Sequence, residues 1–265
     1  MQTRILIRIL VLLFLVLSAA CQGQDAAPIS EVTETPAPTT MAEETETPEP
    51  TRLAEVPDPA GAPAILSVPG GEPPTIDGTL SPGEWDGAAM DSFADGSDLF
   101  LMYADGYLYL GIRSVTPEMI AGNIFVDGGE EIRILHASAA LGTALYAPGE
   151  GGWAQAQAFT WRCRQTGNGE AARAERDAFL GEEDWVAANS RTGTPAELEY
   201  QIAVTEETIR LAANILRSSD PEAKTPWPAD LDDDCIAPTP GGLPDELHFS
   251  PDRWATISLA PGGEG

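Results

Sequence analysis

Six tryptophans, two histidines, three cysteines and a run of aspartates are the residues of this 265-residue chain whose chemistry could reach beyond folding. An indole face packs well on the C–H face of a pyranose ring, so any exposed tryptophan is a candidate glycan contact. Trp227, in KTPWPAD, sits in a proline-rich loop and is the one best placed for exposure, although a loop anchor is an equal reading. Trp153 and Trp161 fall on one face of the alternating run WAQAQAFTW, where they form either a binding platform or a core stripe. Trp185 lies in a segment of helical spacing, and Trp85 and Trp254 read as core. Asp230, Asp232, Asp233 and Asp234 offer the hard oxygen ligands that suit calcium. The EF-hand pattern fails there, because Cys235 stands where its glycine belongs and no glutamate closes the loop. A solvated acidic loop is the alternative.

Catalytic signatures are missing. The chain has no G-x-S-x-G elbow, no H-E-x-x-H pair and no phosphate loop. Two histidines leave little for acid–base work or zinc, and 42 acidic residues single out no carboxylate pair. The expectation is a non-catalytic protein that requires no cofactor. A formal net charge of −28, with Lys224 the only lysine, provides no basic stripe for nucleic acid. Anionic membrane surfaces are excluded on the same ground.

These residues must be carried by a folded region, and the chain divides into parts. Arg4 and Arg8 give a basic start, and Ile5–Ala20 is an almost unbroken apolar run, shorter than the ~20 residues of a membrane helix. A basic start, a short apolar core and then small residues predict a secretory signal over residues 1–20. Residues 21–63, rich in Thr, Pro and Glu, bury too little apolar surface to offset their ordering entropy and predict a disordered tether. The folded head is expected over 64–260, followed by a flexible tail at 261–265.

Within the head, Asp105-Gly106 stands between two apolar runs, the strongest short hairpin signal. Apolar residues on both faces of those runs place the hairpin centrally in a sheet. Strands are further expected at 123–127, 131–137, 143–147, 153–161, 197–204, 208–216 and 254–259. Ser81-Pro82-Gly83-Glu84 has the form of a capping box and predicts a short helix from Glu84 to Met90. An Ala/Glu-rich stretch, about 169–190, predicts a helical insertion containing Trp185. About eight short strands without β-α-β alternation predict a mainly β fold, an antiparallel two-sheet β-sandwich.

Two resemblances extend this reading. Ser18-Ala19-Ala20-Cys21 resembles the lipobox of bacterial lipoproteins, with Ser18 where leucine is usual. That implies acylation of Cys21, export and anchoring at the outer face of a bacterial membrane through lipid alone; an ordinary signal with an incidental cysteine is the alternative. Cys163 and Cys235 remain, and two cysteines in an exported head are expected to pair as a disulfide. Such a bridge stabilises by ~4–5 kcal/mol in the chain-entropy model.

The second resemblance is carried by Ile76-Asp77-Gly78, Leu80 and Glu84-Trp85, then DGYLYLGIRS, LEYQIAV and the stretch from Asp252-Arg253-Trp254 to Leu259. Their order is similar to that of family 9 carbohydrate-binding modules and related DOMON-like sandwiches. It implies a β-sandwich and, for many members, sugar binding between tryptophan faces beside a structural calcium. Some DOMON-like domains hold haem through methionine and histidine, for which His136 and Met102, or His248 and Met90, would serve. A histidine in a strand is more often structural, and no C-x-x-C-H attachment motif is present. The expected function is non-catalytic binding of a glycan or small sugar; a haem-binding electron carrier and a protein-interaction head without a small ligand are the alternatives. The sequence leaves the oligomeric state open.

Overall fold

The computed structural model describes residues 65–163, 169–190, 195–220, 223, 225–233 and 243–259. The expected signal, Cys21, the tether, Asp234, Cys235 and the tail lie outside the described residues.

The described residues form a two-sheet β-sandwich with one helix. The smaller sheet has the order β2-β3-β4-β10-β9, from Ala89–Ser92, Asp98–Ala104, Tyr107–Arg113, Glu197–Ala203 and Trp185–Asn189. The larger runs β1-β14-β11-β5-β6-β7-β8-β13, with β12 also paired to β11. Its strands are β1 (Ile65–Val68), β5 (Ile120–Asp127), β6 (Ile132–Ala137), β7 (Leu141–Pro148) and β8 (Trp153–Arg162). The chain returns to it as β11 (Thr208–Arg217), β12 (Pro226–Trp227), β13 (Glu246–Leu247) and β14 (Ala255–Leu259). Among these named strands the β1–β14 pairing is parallel and the rest are antiparallel. The strands outnumber the expected eight mainly because β1, β2, β12 and β13 are too short to stand out from turns.

The β3–β4 hairpin forms as its sequence dictates. Asp105 and Gly106 both take positive φ, 51° and 84°, the two-residue turn that matches strand twist. Leu99, Leu101, Leu108, Leu110 and Ile112 point inward against Ile124, Leu135, Leu211 and Ile215 of the larger sheet. The opposite face of the hairpin is also buried: Phe100, Met102 and Tyr109 are covered by Leu80 and Trp85.

That cover is the loop 76–88, and it corrects the helix expected from Glu84 to Met90. Gly83 (φ 93°) and Gly87 (φ 82°) interrupt helical backbone, leaving two turns closed by Glu84 N–H to Ser81 O and Ala88 N–H to Trp85 O. β10 latches the loop down. Glu199 accepts hydrogen bonds from the Asp77 N–H (2.9 Å), the Gly78 N–H (2.7 Å) and Trp85 Nε1 (3.2 Å). Glu197 accepts from the Leu80 N–H and from Arg113 Nε, each at 3.0 Å. Burial pushes the Glu199 carboxyl up to about 7 despite these donors.

The insertion is half helix, half strand. Helix α1 (Glu170–Glu183) stops at Asp184, whose left-handed conformation (φ 61°) returns its N–H to Leu180 O. Trp185–Asn189 then pairs with β10 and all five residues are buried. Sheet pairing overrides the helical leaning of this alanine-containing stretch.

Candidate functional site

Among the described residues, one part of the larger sheet's outer face is roofed by loops and another presents the exposed Trp161. Over the roofed part, Leu231, Leu247, Phe249 and Trp254 pack on Phe125, Ile134 and Tyr146. The other part carries Asn123 on β5, His136 on β6, Gly142 on β7 and Trp161 on β8, placed side by side by registers Asn123↔His136, His136↔Gly142 and Gly142↔Trp161.

Gly142 lets Trp161 lie close to the sheet: a Cβ at position 142 would come within 2.9 Å of its ring and 3.3 Å of Phe159. Phe159 and Trp161 lie 4.8 Å apart at 30°, and His136 meets Trp161 edge-on at 5.1 Å and 88°. Among the described residues Trp161 is the one aromatic among the exposed large hydrophobics, at 43%.

His136 is half-buried, and burial holds its imidazole well below the usual histidine range, at about 4. The ring is neutral at physiological pH. Its Nδ1 lies 2.7 Å from Asn123 Oδ1, which makes Nδ1–H the donor and leaves Nε2 as an acceptor. Two aromatic rings packed together beside a neutral hydrogen-bonding imidazole suit the C–H face and hydroxyls of a sugar.

The structure separates the other candidates. Trp227, expected to be exposed, is 1% exposed: it pairs in register with Ala213 of β11, and its Nε1 donates to Asp91 Oδ2 at 2.8 Å. Trp185 is fully buried, stacked on Tyr200 at 6.1 Å, with Nε1 donating to Thr143 Oγ1. Trp153 packs edge-on against Phe249. Trp153 lies opposite Pro148 and Trp161 opposite Gly142, both on the outer face, but Trp153 sits at the roofed end against Phe249 and Trp161 at the other end of β8. Two register shifts between them turn Gln157, opposite Leu145, to the inner face, while Gln155, opposite Tyr146, stays on the outer one.

His136 and Met102 do not converge on one iron. Met102 is buried on the outer face of the smaller sheet with Trp85 and Phe100, whereas His136 is on the outer face of the larger sheet. The aspartate run is turned to structural use. Asp232 and the Asp230 carbonyl accept from Arg253, and Asp233 accepts from the Ser250 N–H (3.0 Å) and Trp254 Nε1 (2.8 Å). Among the described residues no three His, Cys, Asp or Glu side chains are grouped to hold a metal. Cys163 carries a buried free thiol, which burial pushes up to about 11; its expected partner, Cys235, lies outside the described residues.

Phe159 and Asn123 are the site residues that sequence reasoning missed. Phe159 was visible in the alternation of WAQAQAFTW, but Asn123 is brought to His136 only by strand register.

No protein-family model matches the chain, and no curated protein matches it. Among solved structures, a crystal structure named "putative carbohydrate-binding protein", from Bacteroides uniformis, is similar with a TM-score of 0.39 and 12% identity. The match covers 74% of this chain and 97% of that one.

Proposed function

We propose that this protein is a non-catalytic, lipid-anchored surface protein whose β-sandwich head binds a neutral glycan or small sugar at the Trp161 patch. The observation that carries the reading is an exposed indole packed against Phe159 and edged by a neutral His136, on a sheet face that loops roof only in part. The sugar ring lies on Trp161, and His136 Nε2 accepts from one of its hydroxyls. The lipobox at Ser18–Cys21 supports export and anchoring through Cys21, with residues 22–63 as the tether.

The test is calorimetric titration of the protein with a panel of neutral mono- and oligosaccharides, repeated on Trp161→Ala. The expected result is saturable binding, weakened at least tenfold by the substitution while the thermal midpoint stays within a few degrees. A protein that binds none of the panel, or a variant that binds as well as the parent, sinks the reading and leaves a protein-interaction head.

A further inference from the structure

A second concave site opens at one end of the sandwich, away from Trp161. It lies where the β5–β6 turn, Asp127–Gly129, meets the β10–β11 connection, Thr205–Thr208, and encloses about 540 Å3. That volume falls within the ~300–1,000 Å3 of typical small-ligand sites. Val126, Val204 and Ile209 contribute apolar surface to its lining.

Its polar lining is unusual for this chain. Acids outnumber basic residues 42 to 14, yet two arginines, Arg133 and Arg210, line this one cavity. Arg133 is half-buried, and its Nη2 donates to a neutral acceptor, the Glu183 carbonyl, at 2.7 Å. The Glu183 carboxylate is turned instead to Arg162 and Thr143. Among the described residues no ion pair is formed by Arg133, unlike Arg113, Arg162, Arg210, Arg217 and Arg253. A guanidinium keeps its charge at any physiological pH and presents five N–H donors, most of which are uncommitted here. Arg210 stands half-exposed at the rim, 3.3 Å from Asp127.

We propose that this cavity binds a carboxylate-bearing sugar, a uronate, with its carboxylate on Arg133 and its ring over Val126, Val204 and Ile209. A planar carboxylate matches the guanidinium fork. The hydroxyls of the ring meet Thr205, Thr208 and the acceptor oxygens of Glu206, all of which line the cavity. Those same acids, and a net charge of −28, disfavour a phosphate dianion. One carboxylate on a hydroxylated body satisfies both halves of the lining. The site does not depend on the Trp161 reading.

The test is calorimetric titration of the full chain with D-galacturonate and D-glucuronate against D-galactose and D-glucose, which replace the carboxylate with a hydroxymethyl group. One uronate is expected to bind at least tenfold more tightly than its neutral counterpart. Arg133→Gln should weaken it at least tenfold, and Trp161→Ala should leave it unchanged. Arg210→Gln, at the rim and away from Glu183, gives a second reading in a variant whose folding is not at risk, with an expected loss of about threefold. The proposal is overturned if neither uronate binds, if the neutral sugars bind the Trp161→Ala protein as tightly as the uronates do, if both arginine variants bind uronate like the parent, or if Trp161→Ala abolishes uronate binding. Loss of neutral-sugar binding alone sinks the Trp161 reading and leaves this one standing.

Discussion

The two outer faces of the sandwich are built from similar materials and put to different ends. On the smaller sheet, Trp85 is pinned over Phe100 by a carboxylate that also holds two backbone N–H groups of its loop. On the larger sheet, Trp254 is pinned in the same manner by Asp233, with Phe125 and Phe249 against its ring. Among the described residues no such carboxylate is hydrogen-bonded to Trp161, which packs against Phe159 and His136 and over Gly142. A tryptophan whose N–H is captured by a buried acid is committed to the fold. One that rests on a glycine with its face toward solvent is available to a ligand. The difference lies in the partner across the sheet.

The contrast breaks most visibly at Glu199. Glu199→Ala would leave the Asp77 and Gly78 N–H groups and the Trp85 indole without their acceptor under a buried loop. At ~1–3 kcal/mol for each buried donor left unsatisfied, a loss of about 3 kcal/mol or more is expected. Urea unfolding followed by Trp fluorescence measures it. A loss below about 1 kcal/mol would show that the latch is not what holds the loop.

Gly78→Ala attacks the same loop from its backbone. Gly78 has φ 90°, and an added Cβ would stand 2.5 Å from the Asn189 carbonyl carbon. Left-handed strain and a clash with backbone that cannot swing aside together should cost about 2 kcal/mol or more, read from the same unfolding curves.

The two faces also oppose one another in pH dependence. Glu199 has its folded pKa raised to about 7 from 4.5, so the folded state holds the extra proton between those values. Its contribution is full below about pH 4.5 and is lost as pH rises through 7. His136 has its folded pKa lowered to about 4 from 6.5, so the unfolded state takes up the proton first. Its contribution is full above 6.5 and is lost as pH falls toward 4. Between pH 4.5 and 6.5 the two slopes, each up to about 1.4 kcal/mol per pH unit for one proton, offset one another in the parent protein. Glu199→Gln should uncover stability that rises with pH in this window, and His136→Gln stability that falls with pH. Unfolding free energies at pH 5 and 6 for the three proteins decide it; parallel slopes in all three would contradict both assignments.

How much of this was legible in the sequence depends on how far apart the partners lie. The β3–β4 hairpin was readable because Asp105-Gly106 and its flanking strands are contiguous. The sandwich followed from the strand count and the absence of β-α-β alternation. The stretch Glu84–Met90 reads as helical because a capping pattern is local, whereas the positive φ of Gly83 and Gly87 and the Glu199 latch, more than 110 residues away, are set by the tertiary fold. β9 was misread for the same reason, since Trp185–Asn189 becomes a strand only by pairing with β10. At the candidate site, Trp161 was legible and its neighbours less so. Phe249, brought in from a distant loop, covers Trp153 and not Trp161, and the β5–β6 register brings Asn123 to His136. Trp227 was misjudged because flanking prolines suggest an exposed loop, while Asp91, brought close only by the tertiary fold, draws its indole inside.

The smallest expected stability effect belongs to Trp161 itself, and that smallness is informative. The ring is 43% exposed and among the described residues no acid accepts from its N–H, so Trp161→Ala removes an aromatic contact worth ~0.5–1.5 kcal/mol and leaves no buried acceptor stranded. A structural tryptophan in the same fold behaves otherwise. Trp254→Ala would open a cavity among Phe125, Phe249 and Tyr146 and strand Asp233, at a cost of about 3–5 kcal/mol. If thermal melts place the two substitutions far apart, with Trp161→Ala near the parent and weakened in saccharide binding, residue 161 is held for a ligand and not for the fold. If Trp161→Ala unfolds as readily as Trp254→Ala, the ring is part of the core and the unroofed part of the sheet face is only an unfinished roof.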